Sequence, residues 1–242
     1  MSGETILTEV RDGLAVLTLN RPERHNAISI KMRQEIISTL VAWRKDPAVG
    51  MVIITGAGPS FTAGFDLGEF KVPELLPEIF RTSSLYHREL WRFPKPTLAA
   101  VNGPALAGGF DLAKLCDMRI CSEKAAFGHP EIRFTPTLYT PLKWIVGTGP
   151  ARDLCLTGRT IDAQEAFRIG LVSEVTKPEV LLERASEIGR GILKAPAHVL
   201  ATVKRFFVEN DAWGFEESFC REHDAAFQEF IMNALAGSFK KA

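Results

Sequence analysis

Apolar positions change their spacing repeatedly along this chain, and each change predicts a different kind of element. Residues 6–10 and 14–19 alternate or run apolar on either side of Asp12-Gly13, which predicts two strands joined by a tight turn. Asn20-Arg21-Pro22 ends the second strand, and residues 29–43 then place Ile30, Ile36, Ile37, Leu40 and Val41 at helical spacing. Residues 51–55 form a short apolar strand that ends in the loop Gly56-Ala57-Gly58-Pro59. A helix over about residues 74–91 stops at Pro94 and Pro96.

The pattern then recurs as a strand at 97–101, a glycine-rich turn, a helix at 106–115, a strand at 118–121 and a short segment at 125–127. Strands that alternate with helices and arrive singly point to stacked β-β-α units. Beyond Gly147, apart from residues 171–175, the periodicity is helical over 151–155, 163–169, 178–193, 198–208 and 215–235. The expected fold class is α/β, with a core over residues 1–193 and a helical region over 194–242. No Ser/Gly-rich linker separates them, so the helices are expected to pack on the core or on a partner subunit.

Composition narrows the function classes. Of 242 residues, 46% are hydrophobic and 24% charged, an ordinary globular balance. Lys+Arg and Asp+Glu both number 29, so no basic excess points to nucleic acid or an anionic membrane surface. Met1-Ser2-Gly3-Glu4-Thr5 has neither the basic nor the apolar region of a secretory signal, and no run reaches a membrane-spanning length of ~18–20 apolar residues. Cys116, Cys121, Cys155 and Cys220 form no C-x-x-C and no Cys/His ligand spacing. A cytoplasmic protein with reduced thiols, and with no metal site, is expected.

Two strand-to-helix turns carry the candidate chemistry: residues 54–67 (Ile-Thr-Gly-Ala-Gly-Pro-Ser-Phe-Thr-Ala-Gly-Phe-Asp-Leu) and 101–112 (Val-Asn-Gly-Pro-Ala-Leu-Ala-Gly-Gly-Phe-Asp-Leu). Each leaves an apolar strand and passes glycines and small residues before an acidic residue. The first N–H groups of a helix have no partner within it, and small residues let a ligand approach that backbone closely. Two such ends facing each other would suit a developing oxyanion. Taken singly, either turn is ordinary βα punctuation. Neither contains G-x-x-x-x-G-K-[ST] or G-x-G-x-x-G, so nucleotide-loop readings fail.

Taken together, the motifs resemble those of the crotonase (enoyl-CoA hydratase/isomerase) superfamily. Phe61-Thr62-Ala63-Gly64-Phe65-Asp66-Leu67 is similar to that family's F-x-A-G-x-D-[LI]. Residues 102–109 resemble its N-G-x-A-x-G-G-G, with Ala107 replacing the first glycine of the run. Residues 20–27 resemble N-R-P…N-A, and residues 156–166 with Gly170-Leu171-Val172 resemble L-T-G…A-x-x-A…G-L-V. The resemblance implies a crotonase-like spiral of β-β-α units, an acyl-CoA thioester as ligand, no cofactor beyond coenzyme A in the substrate, and an oxyanion hole. Its donors would be the N–H groups of Phe65 and Gly108. Arg24, Ala27, Ala63, Asp66 and Leu67 would contact CoA.

Two acids fall where the family's hydratases carry a glutamate pair: Asp111 and Glu131. General acid–base chemistry needs such carboxyls in hydrogen-bond reach of the reacting atoms. Asp111 also suits a helix start, and Glu131 beside Pro130 also suits a solvated loop. Aspartate is shorter than glutamate by one methylene, a departure from the hydratase pattern. After Pro130-Glu131-Ile132 the usual glycines are missing from residues 133–141, so this stretch is expected to differ, with His129, Arg133 and Tyr139 as possible pocket residues and Arg133 as a possible partner of either acid. The acids fit hydration of a 2-enoyl-CoA. The alternative is a double-bond isomerase with Glu131 as single shuttle, and an acyl-CoA-binding subunit without chemistry ranks last, because both expected acidic positions are acidic. The apolar stripe Phe215, Phe219, Phe227, Phe230, Ile231 and Leu235 suits core or subunit packing. The resemblance implies homotrimers or hexamers, with Lys240 and Lys241 near CoA phosphates.

Overall fold

The computed structural model describes residues 5–211 and 215–235, so Lys240 and Lys241 lie outside the described residues. β1 (Ile6–Arg11) and β2 (Leu14–Leu19) form the expected antiparallel hairpin, turned by Asp12 and Gly13 at φ +51° and +82°. α1 (Ile30–Lys45) begins where the Ser29 hydroxyl accepts from the Met32 N–H, and it leads into β3 (Met51–Gly56). α2 (Leu76–Trp91) precedes β4 (Thr97–Val101). β5 (Ala105–Leu106) and α3 (Gly108–Leu115) precede β6 (Met118–Ser122) and β7 (Ala126–Gly128). Then come α4 (Thr140–Val146), α5 (Thr148–Thr157), β8 (Thr160–Asp162), α6 (Ala163–Arg168) and β9 (Val175–Thr176). Helices α7 (Leu181–Ile192), α8 (Ala197–Asp211) and α9 (Phe215–Leu235) close the chain.

The main sheet has the order β1-β2-β3-β4-β6-β9 and is parallel apart from the opening hairpin. Its central strands are buried on both faces, which is why they read as continuous apolar runs. Leu17, Leu19, Val52, Ile54, Ala99 and Val101 face the side of α1 and α2, where Met32, Ile36, Leu40 and Leu90 pack. The alternate residues Leu14, Met51, Ile53, Leu98, Ala100 and Ile120 face Leu181 and Ala185 of α7. A smaller sheet, β5-β7-β8, stands beside the second glycine-rich turn and fixes its exit.

Several elements differ from the expectation. β5 and β8 are two and three residues long, too short for any apolar period, and so the second sheet is invisible to patterning. Residues 171–175 are mostly not a strand, since only Val175–Thr176 pair with β6, while Leu171 and Val172 plug the core. The stretch lacking glycines folds as a 3-10 turn (Pro130–Arg133), an irregular passage and then α4. Within the helical region expected for subunit packing, α9 folds back against α2 and α4 of its own chain. Phe227 and Phe230 pack there with Phe70, Leu76 and Ile79. No helix among the described residues is long and apolar enough to cross a membrane.

Candidate active site

Two asparagines from the sequence motifs hold the glycine-rich turns in place. Asn26, at φ +54° and fully buried, donates through its amide to the carbonyls of Ala57, Ser60 and Phe61. Asn102 donates to the Gly58 and Ser60 carbonyls and accepts from the Gly56 N–H. A parallel bridge between Thr62 and Ala105 then zips one turn to the other, with Thr62 N–H on the Pro104 carbonyl (3.1 Å) and Leu106 N–H on the Thr62 carbonyl (3.0 Å).

The hydrogen-bond pattern around Phe65 and Gly108 leaves their N–H groups over. Ile28 pairs with the neighbours of Phe65, donating to the Gly64 carbonyl (2.8 Å) and accepting from Asp66 N–H (3.2 Å), so the Phe65 N–H faces away. Gly108 opens α3, where the Ala107 carbonyl takes the N–H groups of Phe110 (2.9 Å) and Asp111 (3.1 Å) and no carbonyl among the described residues takes that of Gly108. Gly64 sits at φ +94°, and a Cβ built there would stand 3.1 Å from the Gly108 nitrogen. A Cβ at Gly108 would stand 2.9 Å from the Phe65 ring. The turns are therefore in contact, and glycine is required at both points. Ala107 holds the same junction at φ +51°, ψ −126°, a conformation that glycine adopts far more readily than alanine.

Phe65 and Gly108 line a cavity of about 240 Å³, together with Asp111 and Glu131. Most of the remaining wall is apolar, including the rings of Phe70, Phe134, Phe227 and Phe230, and His87 and His223 complete it. The 3-10 turn aims Glu131 and Phe134 inward and Arg133 outward. Arg133 is exposed, outside the cavity and not in the expected role as partner of either acid, because successive residues of so tight a turn point in different directions. Tyr139 also lies outside the cavity; its ring packs on the core and its N–H donates to Glu222. His129 is fully buried behind the wall, not in it.

His129 belongs to a buried chain that joins the two acids. Its Nδ1 lies 2.7 Å from Glu131 Oε1, and its Nε2 lies 2.9 Å from the Nζ of Lys114. Lys114 also donates to the Leu138 carbonyl (2.9 Å) and stands 2.8 Å from Asp111 Oδ1, an ion pair rather than an aligned hydrogen bond. The ammonium can only donate, so His129 accepts at Nε2 and donates from Nδ1–H to Glu131. Burial, reinforced by Lys114, holds His129 down at about 3, consistent with this neutral tautomer. Burial pushes the Glu131 carboxyl up to about 7, opposed by a backbone hydrogen bond and by Lys114. Its second oxygen, Oε2, is buried without a hydrogen-bond partner, and the residue faces the cavity.

The expected CoA residues come together at one rim. Ala63 N–H donates to the His25 carbonyl (2.9 Å), which sets residues 24–27 beside 63–67. Arg21 fastens this rim by donating to the Ala27 carbonyl (2.6 Å) and to Asp66 Oδ2 (2.9 Å). Ala63 and Leu67 line the cavity, while Arg24 is exposed on the 3-10 turn Pro22–Arg24. Asp66 is thus committed to holding the rim.

Sequence reasoning missed Lys114, Ser83, His87 and His223. A lysine within the otherwise apolar run after Asp111, three positions on along one helix, was the available signal for the first. Ser83 and His87 share a face of α2, and His223 comes from α9, a contact that no local pattern encodes.

The family model for enoyl-CoA hydratase/isomerase matches residues 9–232, and the chain belongs to that family, with the crotonase fold. A crotonyl-CoA hydratase from Syntrophomonas wolfei subsp. wolfei is 40% identical over 200 residues, covering 80% of this chain and 77% of that one. A 4-chlorobenzoyl coenzyme A dehalogenase-2 from Arthrobacter sp. is 34% identical over 235 residues, covering 92% and 84%. A solved enoyl-CoA hydratase/isomerase from Mycobacterium paratuberculosis superposes with a TM-score of 0.90 at 25% identity, covering 99% of each chain. Family membership therefore fixes a crotonase-superfamily enzyme, while its members differ in the reaction they run.

Proposed function

We propose that this enzyme adds water across the double bond of a 2-enoyl-CoA thioester. The carrying observation is that Glu131 Oε2 and the N–H groups of Phe65 and Gly108, none with a partner among the described residues, belong to the same cavity wall. The thioester oxygen accepts from both N–H groups, which stabilise it as negative charge develops. Water attacks Cβ, the C=C electron pair moves toward Cα and the thioester oxygen, and the resulting enolate is protonated at Cα. Glu131, near 7, takes a proton from the water and returns one to Cα, both forms being populated at neutral pH. Asp111, pinned by Lys114, orients the water. The crotonyl-CoA hydratase relative supports this reading. Its test is hydration of crotonyl-CoA and longer enoyl-CoA esters by wild type, Glu131→Gln and Asp111→Asn; undiminished hydration in both variants sinks it.

The Lys114–Asp111 ion pair favours a second reading, in which Glu131 alone shuttles a proton between Cα and Cγ of a 3-enoyl-CoA. Isomerisation that survives Asp111→Ala supports it over hydration. We also infer a homo-oligomer assembled through α8, where Val199, Val203, Phe206 and Phe207 are exposed at helical spacing. Light scattering should give a trimer or hexamer mass, and Phe206→Asp should reduce it to the monomer.

A further inference from the structure

Away from the acids, the cavity wall contains two histidines that the mechanism does not use. His87 of α2 and His223 of α9 both line the cavity, and both are buried to within 2% of complete. Ser83 lies between them, its Oγ 2.9 Å from His223 Nε2 and 3.4 Å from His87 Nδ1. His223 Nδ1 lies 3.1 Å from Asp224 Oδ1. The remaining ring nitrogen, His87 Nε2, is buried with no hydrogen-bond partner among the described residues.

The hydrogen positions follow from this order of partners. A carboxylate can only accept, so His223 carries its proton on Nδ1 and presents a lone pair at Nε2. The Ser83 hydroxyl donates to that lone pair, which leaves its oxygen free to accept. His87 therefore donates from Nδ1–H to Ser83 and keeps a bare lone pair at Nε2, on a ring that lines the cavity. Burial holds both rings below the usual histidine range, and in His87 the neighbouring ring of His223 adds to the effect, so both stay neutral. The Asp224–His223–Ser83 relay, together with the backbone of Ser83, thus holds one tautomer of His87. An orphaned acceptor in an apolar wall is unfavourable unless a ligand fills it.

The surroundings set the shape of that ligand. The Phe65 ring meets His87 edge to face at 6.0 Å and Phe227 edge to face at 5.5 Å, while Phe227 stacks on His223 at 4.5 Å. Such rings accept a further ring by the same offset and edge contacts. We propose that the acyl group of the natural substrate is an aryl-bearing one with a hydroxyl on the ring, and that this hydroxyl donates to His87 Nε2. The inference rests on the acyl-CoA reading of the cavity, and His87 is here a specificity determinant that moves no proton in the reaction.

The test separates binding from turnover. Calorimetry would compare the saturated, unreactive esters 3-phenylpropanoyl-CoA and its 3- and 4-hydroxyphenyl analogues, with CoA alone as reference. Wild type should bind one hydroxy isomer about five- to tenfold more tightly than the parent, the value of one neutral hydrogen bond. His87→Phe should bring that ratio to about one. The methoxyphenyl analogues, which accept but cannot donate, should bind wild type no better than the parent. If His87→Phe fails to fold, the wild-type ratios for the hydroxy and methoxy esters decide the matter. Hydroxy and parent esters binding equally to wild type overturns the proposal, as does methoxy binding as tightly as hydroxy or a hydroxy preference that survives His87→Phe. Esters that bind no better than CoA alone would instead refute the acyl-CoA reading beneath it, and selective binding without hydration would refute only the proposed reaction.

Discussion

The two ends of the cavity are built from different materials. At the end proposed for the thioester the candidate groups are backbone N–H groups of Phe65 and Gly108, set by turn geometry and held by Asn26 and Asn102. At the acyl end they are side chains, Asp111 and Glu131 in front with Lys114 and His129 behind, and His87 to one side. A backbone donor survives replacement of its side chain, so Ala107 can stand in place of the first glycine of the motif while the Gly108 donor remains. A side-chain group has no such latitude, because one methylene moves its reacting atom. The backbone end therefore tolerates a change of side chain that the side-chain end does not.

Breaking each end in turn measures the contrast. The largest effect is expected from Glu131→Gln, which removes the titrating oxygen and should lower kcat for hydration about 10²–10⁴-fold. The same change should not weaken the fold at high pH. A carboxyl raised from 4.5 to about 7 binds its proton more tightly folded than unfolded, so its ionisation costs stability progressively as pH rises through that window. Thermal unfolding at pH 8 should show Glu131→Gln at or above wild type, with the difference vanishing below pH 4.5. Gly108→Val attacks the other end, where its side chain collides with the Phe65 ring and displaces the donor. A loss of about 10²–10³ in kcat is expected, with binding of the CoA portion largely kept. If instead KM rises and kcat holds, the N–H groups bind substrate and transition state alike.

Lys114→Met sharpens the side-chain end. It leaves Asp111 without its cation and His129 Nε2 without its donor, all in buried surroundings. Breaking a buried pair from one side costs about 3–5 kcal/mol, which a denaturant midpoint would register. Lys114 also lowers the Glu131 pKa. Its removal should therefore move the catalytic inflection of kcat/KM from about 7 to a higher pH, and an unmoved inflection would mean that Glu131 is not the group titrating.

How much was legible in the sequence follows the same division. The hairpin, the buried parallel strands and both glycine-rich turns are local, and their patterns or motifs lie within about a dozen residues. Asp111 and Glu131 were legible through their motif context, and the structure sets both in one cavity wall. Arg133 was misplaced because a 3-10 turn, not an open loop, decides where successive side chains point. Lys114 bridging to His129, and Ser83 meeting His223 across 140 positions, depend on how α3 meets the 3-10 turn and how α9 returns to α2. Nothing in local periodicity encodes such meetings.

The smallest expected effect, and the one that tests whether the backbone end is truly indifferent to side chains, comes from Ala107→Gly. Ala107 sits at φ +51° and ψ −126°, where a Cβ is strained by about 1–3 kcal/mol. Glycine removes that strain but adds freedom to the unfolded chain, a loss of roughly 0.5–1 kcal/mol. The balance is a gain of about 1 kcal/mol, or about 2–4 °C in Tm for a chain of this size. If only the position of the Gly108 N–H matters, kcat should stay within about twofold while Tm rises. A rise in Tm accompanied by a clear fall in kcat would instead mean that the strained alanine holds the N–H on target, and that even the backbone end depends on one side chain, a methyl group.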